Sequence, residues 1–154
     1  MVTLKKIDKE EFEKISNELN NDPEVKKFVN FYDFSSTYGI LLNNNIVGLF
    51  SLYPFIDNNV VIHIAILKEF RNKGIGGIAL DEIVEKYGEL FLNSKYFMLD
   101  INYENEKAKN TAKKNNWKRT YEYDEIMEAE GAEIFDLYVK KNPCYVEEKE
   151  HIIW

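Results

Sequence analysis

Cysteine, histidine and long apolar runs are scarce in this chain of 154 residues. The single cysteine, Cys144, cannot form an internal disulfide, so stability does not depend on an oxidising compartment. Cys144 and His151 are too far apart, with no companion ligands, to predict a metal site. No run approaches the length of a membrane span and the first residues hold no apolar signal core. We therefore expect a cytoplasmic protein without a metal or a membrane partner.

Basic residues are also in deficit, with 20 Lys and Arg against 27 Asp and Glu. The net charge of -7 weighs against nucleic-acid binding, which needs a phosphate-neutralising surface, and mildly favours a cationic amine substrate. The length predicts one domain over residues 1–140 and a C-terminal tail at 141–154. The tail carries apolar residues at Tyr145, Ile152, Ile153 and Trp154. They leave two alternatives open, docking on the body or on a second copy in a homodimer.

The order of hydrophobic patterns predicts an α+β protein. Strands are expected over residues 2–7, 37–42, 46–53, 60–67 and 95–101. Helices are expected after Asp8, which has Glu11 placed for a capping box, around 25–29, from 75 onward and over 105–115. A last hairpin is expected from residues 117–127 and 132–139. Hairpins outside two central βα units predict a three-layer fold with a central mixed, mostly antiparallel sheet flanked by helices.

A glycine loop between the buried strand and the following helix is the main functional signal. It comprises Arg71, Asn72, Lys73, Gly74, Ile75 and Gly76. A helix N-terminus offers unpaired N–H groups and partial positive charge, and glycines let a phosphate approach the backbone. Arg71 and Lys73 add complementary charge. The loop therefore predicts a pyrophosphate site.

Three interpretations of this loop compete with one another. A P-loop is excluded because the sequence lacks its Gly-Lys-Ser/Thr ending. Gly74, Gly76 and Ala79 match a dinucleotide fingerprint, with Asp100 near the place of a ribose-binding acid, but the loop is too long and too few βα units follow. A glycine turn that serves only helix packing is the third alternative.

The segment from Ile64 to Gly76 resembles the acetyl-CoA-binding motif of GNAT acetyltransferases, an apolar strand followed by [QR]-x-x-G-x-[GA]. The resemblance implies the GNAT fold across nearly the whole chain and acetyl-CoA as co-substrate. It implies that Ile64, Ala65 and Ile66 line the pantetheine arm and that residues 71–76 cradle the pyrophosphate. A second family element matches in spacing at Asn105, Ala108, Asn116 and Trp117, and implies that Asn105 contacts the cofactor. Ala112 stands where the family usually has tyrosine.

The chemistry implied by the resemblance is direct transfer of acetyl to a primary amine. An amine of pKa about 10.4 is rarely neutral at pH 7, so a general base is needed. His63 is the candidate because it directly precedes Ile64, where relatives place a glutamate, although a packed structural histidine is the alternative. The backbone N–H of Ile66 is the expected oxyanion donor. With Ala112 in the tyrosine position, the thiolate's proton comes from Tyr103, Tyr138 or water, or the protein binds acyl-CoA as a sensor without efficient turnover.

The acceptor side is expected to be aromatic. Candidate substrate-binding residues are Phe31, Tyr32, Asp33, Tyr38 and Tyr53. Aromatic faces and a carboxylate would hold a cationic amine, whereas membership of the core is the alternative for most of these rings.

Overall fold

The computed structural model describes residues 1–132 and 134–147, which hold seven strands and five α-helices. In chain order these are β1 Val2–Lys5, α1 Lys9–Asn20, α2 Pro23–Lys26, β2 Thr37–Leu42, β3 Asn45–Pro54, β4 Val60–Ile66, α3 Ile75–Tyr87, β5 Tyr96–Asn102, α4 Glu106–Lys114, β6 Lys118–Thr120, α5 Asp124–Ala129 and β7 Phe135–Lys141. The strands form one sheet in the order β1-β2-β3-β4-β5-β7-β6. The predicted α+β class and mixed sheet are confirmed.

The sheet combines antiparallel pairs with one parallel pair. β1 and β2, β2 and β3, β5 and β7, and β6 and β7 run antiparallel, whereas β4 and β5 run parallel with Val60 opposite Phe97. The hairpin between β2 and β3 turns through Asn43 and Asn44, whose φ angles are 50° and 69°. Asparagine tolerates this left-handed conformation, as the sequence predicts. A sheet with this many antiparallel pairs excludes the doubly wound dinucleotide fold.

The first compact unit comprises Met1–Tyr53 and Ile62–Glu82. Its first helix begins with the predicted capping box, in which the Glu11 N–H donates to Asp8 Oδ1 at 2.8 Å and the Asp8 N–H donates to Glu11 Oε1 at 3.1 Å. The core of this unit consists of Ile7, Phe12, Ile15, Leu19, Val25, Phe31, Leu49 and Leu67. Helix α1 supplies Phe12, Ile15 and Leu19 to this core, the helical spacing that the sequence shows.

The second compact unit comprises Pro54–Val61 and the described residues from Ile83 onward. The buried Asn142 side chain donates to the carbonyls of Gly88, Phe91 and Ser94, and the Val146 N–H donates to the Leu92 carbonyl at 3.0 Å. The described part of the predicted tail is thus bonded to its own unit. The predictions that involve His151, Ile152, Ile153 and Trp154 lie outside the described residues.

The predicted final hairpin is wrong over residues 121–127. Only Lys118–Thr120 pairs with β7, and Asp124–Ala129 forms the helix α5. Tyr123 and Met127 are both buried and stand four residues apart, and acidic residues occupy the first turn, where they favour a helix. The alternation of a strand would also bury Glu125, which is exposed, so the burial pattern of this aromatic-rich segment follows the helical period.

Candidate active site

The loop between β4 and α3 is built to present backbone N–H groups. A 3-10 turn at Lys68–Phe70 follows the strand, and Asn72 and Gly74 adopt left-handed φ angles of 64° and 78°. In the helix that follows, the first bond to a preceding carbonyl runs from the Ile78 N–H to Gly74, at 3.2 Å. The N–H groups before Ile78 have no partner within the helix, because they precede its first turn. They form a donor set suited to an anionic group.

The glycines of this loop leave room beside the backbone. A Cβ atom on Gly74 would meet no atom within 4 Å, and one on Gly76 would meet Ile66 Cγ1 at 3.9 Å, an ordinary contact. Close packing of helix on strand therefore does not require Gly76. The open space would admit a phosphate to the backbone, and the φ of 78° is a separate reason for glycine at position 74.

Arg71 connects the loop to other segments of the first unit by hydrogen bonds. Its Nε–H donates to the Ile66 carbonyl at 2.8 Å, and its terminal nitrogens bond Asp22 at 2.6 Å and Glu24 at 3.1 Å. Asp22 is the N-cap of α2. The guanidinium therefore joins the last residue of β4 to the start of α2. Its partners are protein groups, whereas Lys73, the other cation of the predicted cradle, is exposed to solvent.

The backbone direction of Ile66 follows from its two neighbours. The Leu67 N–H donates to the Val47 carbonyl of β3 at 2.8 Å, and the Ala65 oxygen lies beside Gly48 of β3, 2.5 Å from the position that a Cβ would take there. Successive residues of a strand direct their N–H and C=O groups to opposite edges. The N–H of Ile66 therefore points to the edge of β4 away from β3. Its carbonyl, on that same edge, accepts from Arg71.

His63 lies on the opposite face of β4 from Ile66. Ala65 packs against the core of the first unit, and side chains two residues apart share a face, so His63 faces that side as well. The His63 ring is half-buried, and its centroid is 5.4 Å from that of Tyr53. The structure thus brings together the candidate base and one of the candidate acceptor residues.

The other predicted acceptor residues are divided between core and surface. Phe31 is 1% exposed and belongs to the core, whereas Tyr32 is 76% exposed. Asp33 caps a 3-10 turn by accepting from the hydroxyls of Ser35 at 2.7 Å and Ser36 at 2.8 Å. These hydrogen bonds, from Ser35 first, lower the pKa of the Asp33 carboxyl below its usual value. Asp33 is therefore an exposed carboxylate held in place by its own turn.

Tyr38 already has a cation beside its ring. It stacks on Phe50 at 5.2 Å, and Lys6 Nζ lies 5.1 Å from the Tyr38 centroid and 4.5 Å from that of Phe34. Lys6 also donates to the Thr37 carbonyl at 2.6 Å, and burial lowers its pKa, an effect that the charge of Asp33 opposes. Sequence patterns do not reveal Lys6, because its approach to these rings depends on the pairing of β1 with β2.

The second family element lies in the second unit and folds as its spacing predicts. Asn105 Oδ1 accepts from the Ala108 N–H at 3.2 Å and so caps α4. Asn116 takes the predicted left-handed conformation, with φ 67°, and the Trp117 N–H donates to the Ala112 carbonyl at 2.9 Å. Ala112 is fully buried. Of the two tyrosines considered as acids, Tyr138 is buried at 2% exposure and Tyr103 is exposed at 50%.

Two further classes of site find no support among the described residues. No group of three or more His, Cys, Asp or Glu side chains in residues 1–132 and 134–147 is placed to hold a metal ion. None of the helices in these ranges has both the length and the apolar character needed to cross a bilayer.

Comparison with protein families identifies the family of the chain. The model of the acetyltransferase (GNAT) family matches residues 1–117, which is more than half of the chain and includes both the glycine loop and the second family element. Among curated protein sequences, none matches the chain significantly.

Three solved structures with the same fold carry the name acetyltransferase. A GNAT-family acetyltransferase from Bacillus anthracis is 18% identical, with a TM-score of 0.65 over 90% of this chain and 92% of that one. Spermidine N-acetyltransferase from Vibrio cholerae, solved with CoA and spermine, is 16% identical, with a TM-score of 0.67 over 95% and 98%. The microcin C7 self-immunity acetyltransferase MccE, solved with acetyl-CoA and AMP, is 18% identical, with a TM-score of 0.67 over 91% and 92%. At these identities the likeness establishes the fold.

Proposed function

Since the chain belongs to the GNAT acetyltransferase family, we propose that it transfers the acetyl group of acetyl-CoA to a primary amine by direct attack. The observation that carries the proposal is the orientation of the Ile66 N–H beside a loop of unpaired helix donors. A pyrophosphate on the N–H groups of residues 72–76 and a thioester at the end of β4 are the ligand groups that such donors suit. Solved structures with CoA or acetyl-CoA bound support the choice of donor.

The proposed reaction needs no covalent enzyme intermediate. The neutral amine nitrogen attacks the thioester carbonyl carbon, the C–N bond forms, and the C–S bond breaks with departure of the CoA thiolate. The Ile66 N–H would donate to the developing oxyanion, an interaction whose loss costs about 3–4 kcal/mol in comparable enzymes. His63 would accept the proton that the amine loses, directly or through a water. Ile64 and Ala65 would line the pantetheine arm, and Asn105 would contact the cofactor.

The proposed acceptor is a small cationic amine or a protein amine. Tyr53 is the best-placed acceptor residue because its ring lies beside His63. Tyr32 and Asp33 are exposed and would attract the amine before it enters. Phe31 would shape the site from the core, and Tyr38 would do so together with Lys6, which lies beside its ring. The net charge of -7 and the fold shared with a spermidine acetyltransferase support a cationic acceptor. The proposal places the protein in the cytoplasm, since its stability needs no disulfide.

A second candidate function is an acyl-CoA sensor that binds the thioester without efficient turnover. The buried Ala112 in the usual tyrosine position favours this alternative. Release of CoA thiol in the presence of an amine panel separates the two functions. An enzyme releases thiol faster with at least one amine, whereas a sensor binds acetyl-CoA and releases thiol at the uncatalysed rate.

The first test is thermal unfolding with acetyl-CoA, with NADH as the control ligand. A ligand present at about a hundred times its Kd adds about 2.7 kcal/mol to the free energy of unfolding. For a domain of this length, that corresponds to an increase in Tm of about 5–10 °C. A shift with acetyl-CoA alone supports the proposal. No shift, or a shift with NADH alone, contradicts it for enzyme and sensor alike.

A further inference from the structure

Two carboxylates pair with Arg71, and Lys68 is a further cation near Asp22. One guanidinium faces two carboxylates, Asp22 and Glu24, so the three side chains carry a net charge of -1. The side chains of Arg71 and Asp22 are each only 14% exposed, whereas Glu24 is 73% exposed. The hydrogen bond from Arg71 lowers the pKa of the Asp22 carboxyl, which keeps this carboxyl ionised. A phosphate that approached this guanidinium would meet a neutralised charge.

The backbone of Arg71 is engaged as well. Its N–H donates to the Lys68 carbonyl at 3.3 Å, within the 3-10 turn. With Nε on Ile66, both the side chain and the main chain of Arg71 have partners in the protein. A phosphate ligand needs a donor that is available to it. In the same loop, Lys73 is exposed and carries its charge on a flexible side chain.

From this geometry we propose that Arg71 is a positioning residue for the thioester end of the site and that its side chain is not a phosphate ligand. The inference rests on the proposed function and assigns a role within it. Nε holds the carbonyl of Ile66, on the same edge of β4 as the N–H that would meet the oxyanion. The two terminal nitrogens fix that position against the start of α2. Arg71 thus acts on the reaction through Ile66.

Two acetyl donors distinguish positioning from phosphate binding. S-acetylpantetheine carries the thioester and the pantetheine arm of acetyl-CoA but no phosphate. Arg71→Met is expected to lower kcat/KM by about tenfold with both donors, because the lost function lies at the thioester end. Lys73→Met is the matched control, since it removes the other charge of the loop. It is expected to lower kcat/KM by about tenfold with acetyl-CoA and by less than about twofold with S-acetylpantetheine.

Two conservative variants distinguish a positioning role of Arg71 from phosphate binding by the direction in which they change activity. Asp22→Asn keeps an N-cap for α2 but weakens the pair with Arg71. If Arg71 bound phosphate, this variant would free its charge and tighten acetyl-CoA binding, whereas the proposal expects kcat/KM to fall with both donors. Arg71→Lys keeps the charge but loses the fork and the Nε donor, so it is expected to behave like Arg71→Met. Rescue by lysine, or loss of the Arg71→Met effect with S-acetylpantetheine, overturns the proposal.

Amide hydrogen exchange without ligand tests the positioning role apart from activity. Leu67 directly follows Ile66, the residue whose carbonyl Arg71 holds, and the Leu67 N–H donates to the Val47 carbonyl. Because loss of Arg71 would loosen this segment, exchange of the Leu67 N–H is expected to accelerate by about tenfold in Arg71→Met and not in Lys73→Met. Unchanged exchange in Arg71→Met overturns the inference. If wild-type protein neither binds acetyl-CoA nor releases thiol, the acetyltransferase proposal fails instead. The exchange result then decides whether Arg71 positions the end of β4.

Discussion

The substitution Gly48→Ala tests whether β3 sets the position of the proposed oxyanion donor. A Cβ on Gly48 would lie 2.5 Å from the Ala65 oxygen, 2.9 Å from Ile66 Cδ1 and 3.2 Å from Ile66 Cα. The carbon–oxygen distance must grow to about 3.3 Å, a displacement of about 0.8 Å. The Ala65 carbonyl and the Ile66 N–H belong to one planar peptide, so they move together. The methyl group therefore shifts the donor itself.

This displacement is expected to lower both the stability and the catalytic rate. Overpacking of this kind costs about 1–3 kcal/mol of stability, and 1 kcal/mol lowers the Tm of a domain this size by about 2–4 °C. Misplacement of a catalytic group by about 1 Å costs roughly a hundredfold in rate. We therefore expect Gly48→Ala to lower Tm by about 2–12 °C and kcat by about ten- to a hundredfold. The assays are thermal unfolding and thiol release with the best amine of the panel.

Gly39→Ala is the matched control for this prediction. A Cβ on Gly39 of β2 would lie 2.6 Å from Ile7 Cγ2 and 3.5 Å from Leu41 Cδ1, both side-chain atoms. This variant is expected to lose stability while its kcat, per folded molecule, stays within about twofold of wild type. If Gly48→Ala also keeps its kcat within about threefold while losing stability, the Ile66 peptide is not the group that β3 positions for catalysis.

Three further predictions concern other parts of the molecule. Gly76→Ala is expected to raise the free energy of unfolding by about 0.5 kcal/mol, because alanine favours a helix, and to weaken acetyl-CoA binding in titration; unchanged affinity would remove Gly76 from the cradle. His63→Ala is expected to lower kcat/KM by about a hundredfold, and a decrease below about threefold would exclude His63 as the base. Burial, with the hydrogen bond to Asp57, raises the pKa of Tyr123 to about 12. Because its unfolded-state value is about 10, Tyr123 should make stability fall as pH rises from about 10 through 12. The free energy of unfolding of Tyr123→Phe, measured with denaturant at each pH, should lack this decline. The prediction is contradicted if it falls in parallel with that of the wild type between pH about 10 and 12.

Local signals in the sequence predicted the parts of the site that lie close together in the chain. The strand, loop and helix from Val60 to Tyr87 were predicted because an apolar run, the loop glycines and a helical apolar pattern follow one another directly in the chain. The capping box of Asp8 and Glu11 was equally local. The family resemblance, which rests on residues 64–76 and on the element from Asn105 to Trp117, is confirmed by the family match over 1–117. The roles given to individual site residues stay predictions.

Contacts between distant segments could not be predicted in the same way. Arg71 pairs with carboxylates 49 and 47 residues earlier, and charge alone does not select Asp22 and Glu24 from the 27 acidic residues of the chain. The approach of Gly48 to Ala65 depends on the pairing of β3 with β4, which a periodic pattern does not specify. These long-range contacts are the ones that position the Ile66 peptide.

The missing tyrosine bears less on catalysis than its place in the family motif implies. Ala112 is fully buried, so a tyrosine ring there would displace packed groups rather than fill a space. The leaving group of the proposed reaction is a thiolate, and a thiol has a pKa of about 8.5, so water can supply its proton near neutral pH. The attacking amine has a pKa about two units higher and must first lose a proton. Assistance is therefore needed most at the nucleophile, so the His63→Ala variant tests the proposed mechanism more directly than the alanine at position 112 does.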